Sequence, residues 1–267
     1  MNTRNLLLNA YVYLVLCFLV VPILIILPMA FSETDYITFP PRGFTWQWFG
    51  AFFQSTQWMS ATAFSARIAF FTAISSAVIG LCASYAIVRG KGALAAVFQT
   101  LLIGPIIVPH IALAIALYLL FQSFGLTETT AGYVIAHTII ALPFSVFTIV
   151  AALSQVDPAL EDAAMCCGAN RFAAFRAVTL PLIWPNVLSG ALFAFVISFD
   201  EPVISFFLAG VRDKTLPRMM FDDIEQNLTP IIPAIAVMLT LLSIIVLVGA
   251  AGLRALAMRS QQTVSEE

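Results

Sequence analysis

Two adjacent carboxylates, Asp200 and Glu201, interrupt a long apolar run of this 267-residue chain. A charge at the centre of a bilayer-spanning helix costs about 2.5–3.5 kcal/mol on insertion scales, so such acids face a cavity or pair with a base. A cationic amine would find two acceptors here. The other reading is an ion pair with Arg67 or His137, or a place near the outer interface. A second acidic group, Asp222, Asp223 and Glu225, follows Arg212, Lys214 and Arg218 and reads as a solvated mixed-charge loop, with contact to an external binding protein or attraction of cations as its functional alternatives. His110 and His137 lie singly in apolar runs and read as hydrogen-bonded packing residues. Arg67 reaches the interface or pairs with an acid. The sequence contains no H-E-x-x-H, no G-x-S-x-G and no glycine-rich phosphate loop. Cys17, Cys82, Cys166 and Cys167 show neither metal-site spacing nor a disulfide framework, and Cys166-Cys167 read as packing residues. The chemistry on offer is recognition of charge, with no catalytic residue, cofactor or metal.

The elements that hold these residues are apolar. Hydrophobic residues make up 61% of the chain and charged residues 10%, against about a quarter charged in soluble domains. The mean hydropathy is +0.99. With a net charge of −2 and no basic block, nucleic-acid binding is disfavoured. About 20 apolar residues cross a bilayer. Six segments reach that length: Leu6–Phe31, Ala61–Val88, Ala93–Phe121, Ala131–Leu153, Val187–Ala209 and Ile231–Leu253. The first is too long for a signal-peptide core and reads as a retained span. The expectation is an all-α membrane protein, one transmembrane domain over residues 1–267, with the lipid bilayer as its solvent.

Arg89 and Lys91, and Arg254 and Arg259, cluster beside span ends, which places the N- and C-termini inside. Residues 32–60 carry Trp46, Trp48, Phe49 and Trp58, and an interfacial helix is expected around Trp46–Phe53. Pro22, Pro28, Pro105, Pro109 and Pro143 each remove a backbone donor and permit kinks that line a cavity.

The connection between the fourth and fifth spans, residues 154–186, is long for a helix–helix link. Asp157-Pro158 is a helix start, and Glu161 and Asp162 follow where negative charge suits the helix dipole. Gly168 ends that helix. Asn170 caps a second one, Arg171–Val178, which Leu180-Pro181 closes. Such a helix–turn–helix on the cytoplasmic face suits docking into a partner's groove, or lying on lipid.

Its residues also resemble the EAA loop of ABC-importer permeases, the binding-protein-dependent transport family. Asp162-Ala163-Ala164 stands at E-A-A, Gly168 follows after three residues, and nine more lead to Val178-Thr179-Leu180-Pro181. The segments HTIIALPF (137–144), SFDEPVISFFLAG (198–210) and TLPRMMFDDI (215–224) resemble the spermidine/putrescine subfamily, in particular the second of its paired permeases. The resemblance implies the six-span type I importer permease fold in a bacterial inner membrane. It implies a second permease as heterodimer partner, two cytoplasmic ATPase subunits and an extracytoplasmic solute-binding protein. Glu161, Asp162, Ala163, Ala164, Gly168, Leu180 and Pro181 would then form the ATPase-coupling loop, and Asp200 and Glu201 the substrate pathway. The substrate would be a polyamine or related cationic amine. Opines, aminophosphonates and other amines are the alternative, and an independent secondary carrier or a membrane-embedded enzyme is the rival class.

Overall fold

The computed structural model describes residues 3–90, 93–210, 213–245 and 248. Their regular structure is helical, with no strand among them. The helices are α1 (Thr3–Met29), α2 (Gln47–Gln54), α3 (Thr56–Arg89), α4 (Ala93–Ile107), α5 (His110–Ser123), α6 (Thr130–Leu153), α7 (Pro158–Cys166), α8 (Arg171–Ala174), α9 (Leu180–Phe199), α10 (Val203–Leu208) and α11 (Leu216–Gln226). A π-helical turn, Phe175–Thr179, joins α8 to α9, and α12 covers Ile231–Ile245. The described residues divide into two compact units, one within Met1–Ser60 and Met220–Val248, the other within Ala61–Met219.

In the first unit α1 carries Pro22 and Pro28 and is exposed along Leu8–Leu27 except at the half-buried Val15. The aromatic loop behind it folds on itself. Phe31 stacks on Phe44 at 4.9 Å and meets the edge of Trp46 at 4.8 Å, and the Trp48 indole donates to the Ser32 carbonyl at 2.8 Å. The expected helix around Trp46–Phe53 is α2. Residues 246, 247 and 249–253 of the expected sixth span lie outside the described residues, as do the topology markers Lys91, Arg254 and Arg259 and the loop residue Arg212.

The second unit is built around α6, half of whose most apolar stretch is buried by protein. Lipid tails are as apolar as leucine, so close packing rather than the hydrophobic effect holds such helices together. Towards one end of α6, Tyr133, Ala136 and Ile140 pack with Phe64 and Ile68 of α3, Leu117 and Phe121 of α5, and Ile204 and Leu208 of α10. Towards the other, Ile149 and Leu153 pack with Ile183 and Val187 of α9, flanked by Leu81, Tyr85 and Val88 of α3.

Two expected spans differ from the sequence reading. The third is broken: α4 and α5 meet at 106°. Pro109 offers no N–H to continue the helix and disfavours helical backbone at Val108. With 15 and 14 residues, α4 and α5 reach about 22 Å and 21 Å, short of the roughly 30 Å of hydrocarbon. The fifth is shifted: the helix runs over Arg171–Phe199 and stops at Asp200. Pro202 and the Glu201 cap then start α10 as a separate helix. Leu180-Pro181 therefore does not close the second of the two expected short helices. The Leu180 N–H reaches back five residues to the Phe175 carbonyl. This widened turn lies where the Pro181 ring would otherwise clash with the carbonyl four residues earlier.

Candidate coupling segment and pathway site

The first part of residues 154–186 folds by local chemistry. The Asp157 carboxylate accepts the Ala159 N–H at 2.9 Å and Pro158 fills the first helical position. Gly168 ends α7 at φ +96°, a backbone conformation that only glycine adopts without strain. The Asn170 side chain accepts the Ala173 N–H at 2.8 Å. Asp162, Ala163, Gly168 and Pro181 are exposed, and Ala164 and Leu180 are half-buried. Cys166 and Cys167 are exposed as well, against their reading as packing residues, because α7 packs through its opposite face. Leu160 and Phe172 also stand exposed, Phe172 at 72%. The sequence reading passed over this apolar surface because hydropathy does not tell which side of a nine-residue helix faces out.

Glu161 points the other way. It is buried, and its carboxylate accepts the Tyr85 hydroxyl at 2.9 Å and the Thr179 hydroxyl at 2.5 Å. Arg89 Nε lies 3.5 Å from Glu161 Oε1, and Arg89 Nη2 donates to the Val156 carbonyl at 3.0 Å. Sequence reasoning used Arg89 only as a topology marker and missed Tyr85 altogether.

The second site lies where the two broken spans meet. Glu201 Oε1 accepts the N–H groups of Val203 at 2.7 Å and Ile204 at 3.0 Å, capping α10. Its Oε2 lies 3.6 Å from His110 Nε2, at the first residue of α5. One buried carboxylate thus ties the α9–α10 break to the α4–α5 break. Neither Arg67 nor His137 is its partner. Arg67 is exposed and lies over the Phe64 ring at 5.2 Å. His137 is fully buried, with Nδ1 at 2.9 Å from the Ser198 hydroxyl and 3.1 Å from its carbonyl, and Nε2 at 3.4 Å from the Ser205 hydroxyl. It bridges α6 to both sides of the break, a packing role. Asp200 is exposed; its backbone N–H donates to the Val196 carbonyl at 3.1 Å, and its carboxylate makes no hydrogen bond or ion pair among the described residues. Of the second acidic group, Asp223 is held by Thr229, whose hydroxyl donates at 2.6 Å, and by Asn227 at 3.2 Å.

Residues 76–259, more than two thirds of the chain, match the family described as binding-protein-dependent transport system inner membrane component. The chain belongs to this family. The permease is 31% identical to the spermidine/putrescine transport system permease protein PotC of Haemophilus influenzae, over 92% of this chain and 95% of that one. It is 29% identical to the putrescine transport system permease protein PotI of Escherichia coli K12, over 83% and 81%. Its fold is also that of a bacterial ABC transporter involved in the import of the acidic polysaccharide alginate, with a TM-score of 0.71 at 15% identity, covering 94% of this chain and 96% of that one. The protein is a multi-pass inner-membrane permease subunit of an ABC importer, works with a binding protein and other subunits, and is not itself an enzyme.

Proposed function

We propose that this permease forms part of the translocation pathway for a small cationic amine, a polyamine first of all. Residues 154–186 would pass the work of a separate cytoplasmic ATPase to the spans. The observation that carries the substrate reading is the exposed Asp200 beside a Glu201 already engaged by α10 and His110. A carboxylate with no side-chain partner among the described residues, at the meeting point of two helix breaks, is available to an ammonium group. Broken helices are the usual means of building a transport site within a bilayer. The polyamine names of PotC and PotI support the same choice.

The assembly would contain a second permease, two cytoplasmic ATPase subunits and an extracytoplasmic solute-binding protein. Exposed Asp162 and Ala163, with Leu160 and Phe172 beside them, are the surface offered to the ATPase. The orientation would be N-in, C-in. The bond from Arg89 to Val156 supports a shared side for the end of α3 and the coupling segment.

The test is uptake of radiolabelled putrescine and spermidine by the bacterium that carries this chain, with its gene deleted and then restored. Loss on deletion and recovery on restoration are expected, and both require a functional ATPase. Unchanged polyamine uptake with loss of an opine or aminophosphonate would move the substrate to that class. Transport by the purified chain alone would make it a secondary carrier.

A further inference from the structure

The buried cluster beneath α7 assigns adjacent acids to different tasks. We propose that Glu161 is a strut that carries movement of the coupling helix into α3, while Asp162 faces the ATPase. This rests on residues 154–186 being the coupling segment.

Successive residues of a helix point about 100° apart, and here one acid is buried and the next exposed. The Glu161 carboxylate meets partners from two places: the Tyr85 hydroxyl, which donates to it, and the Arg89 guanidinium, paired with it by charge, near the end of α3, and the Thr179 hydroxyl in the π-helical turn that leads into α9. Arg89 extends the cluster to the Val156 carbonyl, in the link from α6 to α7. The Tyr85 ring also meets the edge of Phe175 at 5.1 Å.

The chain itself connects α7 to α6 and to α8. Both connections are non-helical, residues 154–157 on one side and 167–170 on the other, so each can absorb a rotation of α7 in its backbone torsions. No direct chain connection runs from α7 to α3. The carboxylate supplies one. With 34 residues, α3 is about 51 Å long, more than the roughly 30 Å of hydrocarbon. Its Tyr85–Arg89 end can therefore project to the level of α7. A charge-assisted bond in that partly dry place is stronger than at an open surface. The ion pair and two hydroxyl bonds hold a single carboxylate from several directions. Pushing α7 then pushes α3 and the start of α9 together.

The test uses the membrane complex purified through a tag on this chain and reconstituted in lipid. Three quantities are read: ATPase subunit retained, ATP hydrolysed, and putrescine taken up per ATP. Where the complex does not carry putrescine, the third readout is the change that ATP and vanadate cause in maleimide labelling of a cysteine at Gly90, with the native cysteines replaced by serine. Glu161→Ala should retain the ATPase and hydrolyse ATP at close to the original rate. Uptake per ATP, or the nucleotide-driven labelling change, should fall about tenfold, as expected for loss of a charged hydrogen-bond acceptor. Glu161→Gln, which keeps an acceptor, should recover part of this. Tyr85→Phe removes one donor without touching α7, and its coupling should fall about threefold even if the Glu161→Ala permease itself fails to fold.

Asp162→Arg is the counterpart and should release the ATPase instead. If Glu161→Ala releases the ATPase, or if it and Tyr85→Phe both keep the original coupling, the strut is wrong. If neither Asp162→Arg nor Gly168→Pro affects ATPase retention or coupling, the coupling segment itself is wrongly assigned, and the strut falls with it.

Discussion

Asp200 and Glu201 are neighbours of the same charge, yet their surroundings give them different work. Glu201 is 7% exposed and caps α10 through two backbone N–H groups. Asp200 is exposed and carries no such load. Asp200→Asn should leave the thermal midpoint of the complex within about a degree and raise the apparent KM for a polyamine about tenfold, the effect of losing one charge-assisted contact. Glu201→Ala should act on stability, since an N-cap acceptor contributes about 0.5–2 kcal/mol. Its melting midpoint should fall, whereas Glu201→Gln, which keeps an oxygen at the cap, should hold most of it. Uptake kinetics and thermal unfolding in mild detergent separate the two roles. Equal loss of stability in Asp200→Asn would make both acids structural. The sequence made the pair conspicuous, because acids inside an apolar run are costly wherever they fall. It did not reveal His110 as the partner of Glu201, because their meeting depends on the way two separate breaks fold together, 91 residues apart in the chain.

At the scale of elements, three helices cross closely through small residues. A Cβ placed on Gly80 of α3 would lie 2.9 Å from the Ser145 hydroxyl oxygen and 3.3 Å from its Cβ. A Cβ on Gly190 of α9 would meet the same oxygen at 2.9 Å, and also the Ser145 Cα at 3.2 Å and carbonyl oxygen at 3.3 Å. A hydroxyl can turn aside, but the backbone of α6 cannot. Gly190→Ala should therefore cost more than Gly80→Ala, within the about 1–3 kcal/mol usual for overpacking. Thermal unfolding of the two variants in mild detergent tests the order, and the reverse order would refute this account of the crossing. Small-residue contacts of this kind are common between membrane helices, but the sequence cannot show which glycine faces which helix. Local features were legible: Asp157, Gly168 and Asn170 act through their immediate neighbours, and the structure has each in the expected place. Breaks set by several residues were not. Hydropathy over a span-length window averages away Asp200-Glu201-Pro202, so the fifth span seemed to run on to Ala209. Pro109 signalled a kink, but a proline alone does not say whether a helix bends or ends.

For the whole molecule, the composition established the membrane and the helical class, and the EAA-like spacing pointed to the family. Orientation rests on Lys and Arg beside the span ends, and the protein carries its own probes for it. Cys166 and Cys167 are exposed at the end of α7, whereas Cys17 lies within α1 and Cys82 within α3, both apolar helices long enough to cross a membrane. Thiolate is the reactive form of cysteine and is disfavoured in apolar surroundings, so a charged, membrane-impermeant maleimide should react with the first pair and spare the second. If the termini face inward, Cys166 and Cys167 should label in inverted inner-membrane vesicles and stay unlabelled in intact spheroplasts. Serine at Cys17 and Cys82 should leave this pattern unchanged, and serine at Cys166 and Cys167 should abolish it. Labelling in spheroplasts would reverse the orientation and put the coupling segment out of reach of any cytoplasmic ATPase. Added ATPase subunit that shields the pair in vesicles would in turn place its contact on the exposed face of α7, the side that carries Asp162 and Ala163.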